Sequence, residues 1–280
     1  MKQTHQQPLN AAEAYVIRDK GTERPFSGAY WNHFEEGLYL CRQCRTPLYR
    51  WDAKFESSCG WPSFDDEIPG KVHHQTDADG VRTEITCNSC DGHLGHVFSG
   101  EGYTEKNTRH CVNSLSLTFV KVQRAIFASG CFWGTQYHFD RLDGVLLSAA
   151  GYAGGTREHP TYQEVCTGTT GHVEAVEVLF DPEVISYEEV AIRYFETHDP
   201  EQEDGQGPDI GSQYESVIFY ENQEQLVTAQ KLIDRLAEKG IHAVTRLEQA
   251  DVFYPAEKYH QHYYDRKGST PYCHIYTKRF

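Results

Sequence analysis

Two short cysteine motifs constrain the first half of the chain more than any other feature. Cys41-Arg42-Gln43-Cys44 and Cys87-Asn88-Ser89-Cys90 are Cys-x-x-Cys knuckles whose first cysteines are 46 positions apart. Each knuckle lets two thiolates converge from one tight turn, and two knuckles complete the tetrahedral Cys₄ site that suits Zn²⁺. We therefore expect one closed, structural zinc site formed by Cys41, Cys44, Cys87 and Cys90.

Two other interpretations of the knuckles stay open on spacing alone. One pair could be a thioredoxin-like redox motif, although such motifs belong to a βαβ setting that the flanking sequence does not indicate. A zinc ribbon could also be an interaction module, which would make the chain an interaction protein fused to a redox-inactive scaffold. The net charge of −15 argues against nucleic acid as its partner, because non-specific affinity for nucleic acid comes from cationic contacts.

Length and composition set the remaining bounds. A chain of 280 residues with 39% hydrophobic side chains predicts a globular protein of two domains. No uncharged run reaches the roughly 18 residues that span a bilayer, so we expect no membrane partner. Residues 1–8 lack the apolar core of a secretory signal, which favours the cytoplasm. Nine cysteines, an odd number, favour metal or redox chemistry over a disulfide framework.

The predicted domain boundary lies near Val122 to Arg124, between two strand-like segments, and gives domains of 1–122 and 123–280. The first domain is mostly β, with short strand-like runs at 38–40, 81–85 and 115–120. The second mixes α and β. Helices are expected to begin after caps at Ser186 and Asn222, and strands are expected at 125–128, 173–180, 217–220 and 243–247.

A first reactive cysteine is indicated by clustering. Cys111 lies among side chains that can stabilise a thiolate and deliver protons; they are His93, His96, Arg109 and Asn113. An isolated cysteine would more often be a packed core residue. By the same chemistry Cys59 could be a second thiol of the site or simply a small buried residue, and the residues alone do not decide.

These motifs resemble the type B family of methionine sulfoxide reductases over about residues 10–121. The resemblance rests on the two knuckles and on the segments 21–31, 59–64, 92–98 and 109–114. It implies antiparallel sheets held together by a zinc ion. It also implies Cys111 as nucleophile, Cys59 as resolving cysteine and Trp61 as the residue that holds the substrate methyl group. The implied sulfoxide pocket is formed by His93, His96, Arg109 and Asn113. The sequence departs from the family pattern at His110, where a tyrosine is usual, and at 99–102, where Glu101 is the nearest acidic candidate.

A second reactive cysteine is indicated at Cys131, between a buried strand and a helix start. The helix N-terminus predicts a lowered thiol pKa there, while a buried structural cysteine is an equal alternative. In the strand 173–180, Glu174 shares the face of Val176 and Val178. A carboxyl on an apolar face has a raised pKa and can act as an acid, but Glu177 interrupts the other face in the same way.

The second half resembles the type A family of methionine sulfoxide reductases over about residues 125–280. The segments that carry the resemblance are 130–134, 151–155, 160–162, 171–176, 198–200, 209–214 and 259–261. It implies an α+β sandwich with a ferredoxin-like core. The implied roles are Cys131 as nucleophile, Glu174 as acid, Tyr162 and Tyr214 as partners of the sulfoxide oxygen, Asp209 in the pocket, Phe132 and Trp133 as the methyl cup, and Cys273 as recycling cysteine. Cys166 is left as a bystander.

Together the two resemblances imply reduction of free or protein-bound methionine sulfoxide, with the R epimer at the N-terminal site and the S epimer at the C-terminal site. Thiolate attack at sulfur would leave a sulfenic acid, which a second thiol converts to a disulfide. The sequence contains no nicotinamide or flavin fingerprint, so we expect no organic cofactor and thioredoxin or a similar dithiol as the reductant.

Overall fold

A computed structural model describes residues 6–280. The chain divides between Val122 and Gln123 into two compact units. Each unit has its own buried hydrophobic core. In the part of the chain that the structure describes, no helix is long and apolar enough to cross a membrane.

The first unit is mostly β. Its elements are α1 (Ala11–Ile17), β1 (Gly37–Cys41), β2 (Pro47–Arg50), β3 (Lys54–Phe55), β4 (Ser63–Phe64), β5 (Val72–Thr76), β6 (Thr83–Cys87), β7 (His93–Ser99), β8 (Thr108–Val112) and β9 (Leu117–Lys121). A three-stranded sheet has the order β2-β1-β9, and a six-stranded sheet has the order β3-β4-β8-β7-β6-β5. Every pairing in both sheets is antiparallel.

Helix α1 is stabilised by its own cap, which the sequence interpretation missed. The side chain of Asn10 accepts from the N–H of Glu13, and the Glu13 carboxylate accepts from the N–H of Asn10. This reciprocal capping box satisfies two N–H groups that a helix start leaves unpaired. Val16 and Ile17 are the buried residues of the helix.

The second unit combines one large sheet with helices. Its elements are β10 (Gln123–Ser129), α2 (Phe132–Phe139), β11 (Val145–Ala153), α3 (Tyr162–Cys166), β12 (Val173–Phe180), α4 (Tyr187–Glu196), β13 (Gly205–Gln206), β14 (Asp209–Ile210), β15 (Ser216–Tyr220), α5 (Gln223–Glu238), β16 (Arg246–Gln249), β17 (Tyr254–Pro255) and α6 (Tyr263–Lys267). The sheet order is β16-β15-β10-β12-β11-β17, with only β15 and β16 parallel. The central strands and helices α2 and α4 follow the β-α-β-β-α-β pattern of ferredoxin-like folds.

The two faces of this sheet belong to different hydrophobic clusters. Val176, Val178 and Phe180 pack in the larger cluster with residues of α2, α4 and α5, whereas Val173 and Ala175 pack in a smaller one. Side chains alternate along a strand, so Glu174 lies on the helix-covered face and Glu177 on the other. Both carboxylates are almost completely buried.

The capping predictions for the two long helices are confirmed. Ser186 forms a capping box with Glu189, and the side chain of Asn222 accepts from the N–H of Gln225. The strand 173–180 also has the predicted bounds. β11 was missed, because Gly151 and the small residues around it carry little strand signal.

Three predicted strands begin later than expected because side chains or a loop hold the backbone in other conformations. The Asp79 carboxylate accepts the N–H groups of Val81 and Arg82, so Val81 lies exposed in a turn. The Glu23 carboxylate similarly accepts the N–H of Leu115, before β9 begins. The expected strand 243–247 begins only at Arg246, since the N–H of Val244 bonds to the carbonyl of Pro200.

Candidate active sites

The first candidate site contains two thiols in contact. Sγ of Cys59 lies 4.0 Å from Sγ of Cys111. Cys111 lies on β8, paired in register with Ser63 of β4 and His96 of β7, and Cys59 precedes β4. Ser57 donates to Cys59 Sγ at 3.0 Å, and Ser63 lies 3.6 Å from it. The two cysteines that sequence reasoning singled out in this unit are therefore brought together by adjacent strands.

The hydrogen bond between the two sulfurs allows this pair to carry one negative charge. The hydrogen bond from Cys111 lowers the pKa of Cys59 to about 4, with help from Ser57 and Ser63 against the effect of burial. The same hydrogen bond and burial raise the pKa of Cys111, and Arg109 only partly opposes them. Arg109 Nη1 is 3.5 Å from Cys59 Sγ. The site thus holds one thiolate that the second thiol and a guanidinium stabilise.

His93 is oriented by a buried acid that sequence reasoning missed. Its Nδ1 is 2.7 Å from Oε1 of Glu84, whose other oxygen accepts from Lys20 and Gln75. Burial lowers the pKa of His93, and the bond to Glu84 opposes that shift. Among the described residues His93 Nε2 has no hydrogen-bond partner although it is buried. A hydrogen bond at Nδ1 fixes which ring nitrogen is free for chemistry.

The other expected pocket residues are also engaged. His96 Nε2 is 2.9 Å from Oδ2 of Asp77. Arg109 forms two hydrogen bonds with Glu101, at 2.8 and 2.9 Å, and stacks over the ring of Phe98. Arg109 holds the pKa of Glu101 below its ordinary value. Glu101 is therefore an ionised partner of Arg109 and not a proton donor in this arrangement.

A buried polar brace connects three segments of this site. The Asn113 side chain accepts from the N–H of Glu23 at 3.0 Å and donates to the carbonyl of Leu94 at 3.0 Å. The Glu23 carboxylate accepts a hydrogen bond from the N–H of Ser114. The backbone carbonyl of Glu23 accepts one from Nε1 of Trp61 at 3.1 Å. Both polar atoms of the Asn113 side chain thus bind backbone groups, and the Trp61 side chain is fixed by its hydrogen bond to Glu23. Nothing in the local sequence marked Glu23 for this position.

The four knuckle cysteines converge in the first unit. Sγ of Cys41 is 3.6 Å from Sγ of Cys90, and Sγ of Cys44 is 3.5 Å from Sγ of Cys87. All four sulfur atoms lie within 4.8 Å of one another. Zinc–sulfur bonds of about 2.3 Å in a tetrahedron require sulfurs about 3.8 Å apart. The spacing of the thiols therefore fits a zinc ion.

The second candidate site begins at Cys131, the N-cap residue of α2. The expectation of a lowered pKa is wrong. Burial raises the pKa of Cys131 well above its ordinary value, the charge of Glu174 adds to that effect, and the hydrogen bond from the N–H of Trp133 opposes it only in part. Burial dominates because a thiolate loses its hydration in the apolar surroundings of this site.

The structure distinguishes the two acids of β12. Oε2 of Glu174 accepts the N–H of Phe132 at 3.0 Å, next to Cys131. Burial raises the pKa of Glu174 to about 8. Glu177 instead lies 2.7 Å from Nε of Arg124. Glu174 is thus the carboxyl that stays protonated near neutral pH beside the buried thiol, and the ambiguity left by the strand pattern is removed.

Tyr162, Tyr214 and Asp209 lie close enough to Glu174 to interact with it electrostatically. Burial, with the charge of Glu174 second, raises the pKa of Tyr214 to about 12 and raises that of Tyr162 as well. Asp209 raises the pKa of Glu174 and Cys131, and it accepts a hydrogen bond from Tyr272 at 3.1 Å. The expected oxygen partners are therefore assembled around Glu174.

The aromatic residues after Cys131 differ in exposure. Phe132 is buried, with its ring 5.0 Å from that of His260. Trp133 is half-buried, donates to Nδ1 of His260 at 3.0 Å and stacks on Tyr263. His260, which sequence reasoning assigned no role, also packs against Tyr162. It joins the aromatic wall of the site.

The remaining two cysteines lie near this centre. Cys273 Sγ is 3.1 Å from Nδ1 of His274, and its pKa rises to about 12 through burial and the charge of Asp209. The charge of Cys273 in turn acts on Cys131. Cys166 is exposed at the end of α3 and forms a hydrogen bond with Tyr162. All nine cysteines are free thiols in this structure.

Comparison with known proteins gives the same division of the chain. The family model described as peptide methionine sulfoxide reductase matches residues 123–280, and the model of the SelR domain matches residues 9–121. Peptide methionine sulfoxide reductase MsrA of Nautilia profundicola is 45% identical over 150 residues, which cover 54% of this chain and 87% of that protein. MsrA of a Thermus thermophilus strain is 49% identical over 152 residues, with 54% of this chain and 86% of that protein covered.

Among solved structures, the crystal structure of reduced Mxr1 from Saccharomyces cerevisiae aligns with a TM-score of 0.53 and 32% identity. It covers 57% of this chain and 93% of that one.

Paired thiols in one unit, and a buried thiol beside a protonated carboxyl in the other, define a thiol-based oxidoreductase. The chain belongs to the peptide methionine sulfoxide reductase family through residues 123–280, and it carries a SelR (type B) domain before them. It reduces methionine sulfoxide. Because reductases of the two types act on one epimer each, the type A domain serves the S epimer and the SelR domain the R epimer. The alternative of a redox-inactive scaffold is wrong.

Proposed function

We propose that the chain is a fusion of two independent reductases, a type B enzyme in 1–122 centred on Cys111 and a type A enzyme in 123–280 centred on Cys131. The observation that supports the proposal is that each unit holds its own free thiol beside its own acid–base groups. Cys111 contacts Cys59 and lies on the strand next to β7, which carries His93 and His96. Cys131 lies beside Glu174, whose carboxylate caps the first N–H of α2.

In the second unit, Glu174 supplies the proton that a sulfoxide oxygen needs before it can leave. Its pKa of about 8 keeps it protonated near neutrality. Sγ of Cys131 attacks the substrate sulfur while Glu174 lends its proton to the oxygen and recovers the proton that the thiol gives up. Methionine leaves, and the oxygen remains on Cys131 as a sulfenic acid.

The surrounding side chains position the substrate for this step. Tyr162 and Tyr214 donate hydrogen bonds to the sulfoxide oxygen, and Asp209 completes the polar side of the pocket. Phe132 and Trp133 form the apolar side that receives the methyl group, supported by His260.

A second thiol then resolves each sulfenic acid. In the second unit Cys273 attacks Cys131, a disulfide forms and water leaves. In the first unit Cys59 plays this part toward Cys111, and the 4.0 Å separation of the two sulfurs suits it. Each disulfide returns to two thiols by exchange with an external dithiol, which we propose is thioredoxin. Such recycling belongs to a reducing compartment, which favours the cytoplasm.

In the first unit His93 and His96 handle protons, and Arg109, 3.5 Å from Cys59 Sγ, stabilises the negative charge that Cys59 and Cys111 share before Cys111 attacks. His93 is the better placed of the two histidines because its Nε2 is free, whereas Nε2 of His96 is occupied by Asp77. Asn113 positions the backbone of Glu23 and Leu94 through its hydrogen bonds. Trp61 receives the methyl group of the substrate. Glu101 keeps Arg109 in place.

Cys41, Cys44, Cys87 and Cys90 would hold one structural Zn²⁺ in the first unit. The ion would supply a fixed tetrahedral link between the two knuckles, and with all four positions taken by sulfur it would have no open site for substrate. Cys41 and Cys87 each end a strand, β1 and β6. The zinc would therefore fasten the two sheets of the unit to each other.

Separated epimers of methionine sulfoxide test the two-site proposal. With thioredoxin, thioredoxin reductase and NADPH, Cys111→Ser should lose reduction of the R epimer and keep that of the S epimer. Cys131→Ser should show the reverse, and Cys166→Ser should keep both. Loss of both activities in either of the first two variants would disprove independent sites.

A further inference from the structure

A second group of metal-binding side chains lies in the first unit, away from the cysteine quartet. Glu67, His74 and His110 offer one carboxylate oxygen and two imidazole nitrogens within 4.8 Å of one another. Oε2 of Glu67 is 2.7 Å from Nε2 of His74 and 3.7 Å from Nδ1 of His110. A single oxygen thus faces both imidazole nitrogens.

The three side chains come from separate segments that the fold brings together. His74 lies on the edge strand β5 and His110 on β8, with β6 and β7 between them. Three strand spacings in a flat sheet would separate them by about 14 Å, yet their ring centroids are only 5.4 Å apart. The sheet therefore curls, and the cluster does not depend on one flexible loop.

The ring of His110 is held in place by its neighbours, and its Nδ1 faces both the Tyr49 hydroxyl and Glu67. It is buried, and Tyr49 lies 3.3 Å from its Nδ1 and packs against its ring. His74, with 40% of its side chain exposed, leaves the cluster open to solvent on one side.

We propose that Glu67, His74 and His110 form a second metal site, which takes one divalent transition-metal ion of the zinc class. Two imidazoles and one carboxylate are a known ligand set for Zn²⁺, with a fourth position left for water. Hard ions such as Mg²⁺ and Ca²⁺ prefer sites made of oxygen alone. The ion would replace the 2.7 Å hydrogen bond between Nε2 of His74 and Oε2 of Glu67.

The position of the site gives it a consequence for the first reaction centre. His110 directly precedes Cys111 on β8, and neighbouring residues of a strand point to opposite faces. An ion bound to His110 would fix the strand that carries Cys111 to β5 and to the segment that contains Glu67. The site would therefore stabilise the reactive strand from behind without touching substrate.

A comparable group in the second unit serves as an internal control. Asp140, His262 and Asp265 also converge, but Asp265 is already paired with Arg141, and only one imidazole is present. All three side chains are at least partly exposed. We expect this group to bind the same ion far more weakly.

The test uses the full chain with the quartet filled by zinc and the other five thiols alkylated, so that no free cysteine binds the probe. Calorimetric titration with Zn²⁺ should then show one further equivalent in the native protein. His74→Gln removes a ligand and should weaken this binding by at least the roughly 10- to 100-fold that loss of an outer-shell partner costs. His73→Gln, which changes the exposed neighbour on the same strand, and His262→Asn should both leave it unchanged.

Two further readouts separate this site from its rivals. Co²⁺ bound here should lack the sulfur-to-metal charge-transfer band that an ion captured by cysteines would give. Added Zn²⁺ should raise the melting temperature of the native protein and of His73→Gln, but not of His74→Gln. The proposal is wrong if no extra equivalent binds, if His74→Gln binds it as tightly as the native chain, or if His262→Asn removes it.

Discussion

Nδ1 of His93 and Oε1 of Glu84 lie 2.7 Å apart in a buried pair that leaves the other ring nitrogen of His93 without a partner among the described residues. Burial alone would raise the pKa of Glu84, but the bonds from Lys20 and His93 outweigh it and lower the pKa. An ionised acid behind an imidazole fixes its tautomer and stabilises the ring when it takes up a proton. Glu84 is therefore a positioning residue for the first site.

Glu84→Gln should lower the turnover number for the R epimer, on the order of tenfold or more, because the amide can hold the ring but cannot stabilise its charged form. KM for the R epimer should change little, and S-epimer activity not at all. The pH dependence of R-epimer turnover should shift, which a merely structural change would not cause. Glu105→Gln, at an exposed acid of the same unit, is the control. An unchanged R-epimer pH profile would refute this role.

Cys59 should react before Cys111 with iodoacetamide in the reduced protein at pH 6. The hydrogen bond between the two sulfurs lowers the pKa of Cys59 and raises that of Cys111, so Cys59 is the more readily ionised of the two. Peptide mass spectrometry of briefly alkylated protein measures the order. Arg109→Gln should slow the reaction of Cys59. Faster labelling of Cys111 would mean that the charge lies on the other sulfur.

Glu174 should make the second unit less stable as pH rises. Its pKa is about 8 in the folded protein against an ordinary value of 4.5, so the unfolded chain releases this proton first. The stabilising contribution is complete below about pH 4.5 and is lost as pH rises toward and through 8. Chemical denaturation between pH 5 and 9 should show this slope in the native protein and in Glu183→Gln.

Glu174→Gln should lack that slope and should also lose most S-epimer reduction, because its amide cannot protonate the sulfoxide oxygen. Its R-epimer activity should stay unchanged. A native-like pH dependence of stability in this variant would assign the slope to another group.

Cys273→Ser should separate the chemical step from recycling. With a stoichiometric amount of protein and no reductant, Cys131 can still reduce one S-epimer molecule and stop at the sulfenic acid. Repeated turnover with thioredoxin should fall strongly because no disulfide can form between Cys131 and Cys273. Rapid-quench measurement of methionine and steady-state NADPH oxidation check the two stages. Equal steady-state rates in the variant and the native protein would exclude Cys273 as the recycling thiol.

Cys44→Ser should remove one equivalent of zinc and destabilise the first unit only. Metal-site binding energy in such small units is largely folding energy, so the R-epimer activity should be lost on heating well before the S-epimer activity. Metal analysis and heat-inactivation of each activity provide the measurement. Native zinc content in Cys44→Ser would mean that the quartet is not the metal site.

The sequence was most informative where the chemistry is local. The knuckle spacing anticipated the convergence of four sulfurs, and alternation along 173–180 anticipated the buried face of Glu174. The caps at Ser186 and Asn222 gave two helix starts. Each of these features depends on residues within one turn or one strand, or on a motif whose geometry is fixed by its own spacing.

Features that depend on long-range packing could not be predicted in the same way. The raised pKa of Cys131 follows from burial, which opposes the helix N-terminus that the sequence made visible. In the sequence Glu84 is an ordinary polar residue of an alternating strand. Its role could not be predicted because its partner Lys20 lies 64 positions away. The capping box of α1, by contrast, is a local signal that the spacing of Asn10 and Glu13 carries in the sequence itself.

The brace at Glu23 has a practical consequence for dividing this protein. A fragment that starts at Gly37 would keep both sheets, both knuckles and both reactive thiols of the first unit. It would nevertheless lack the carboxylate that holds Ser114 and Leu115, the N–H that binds Asn113 and the carbonyl that fixes Trp61. The strand-free segment before β1 is thus part of the first candidate site, and truncation there would leave Asn113, Ser114, Leu115 and Trp61 without these partners.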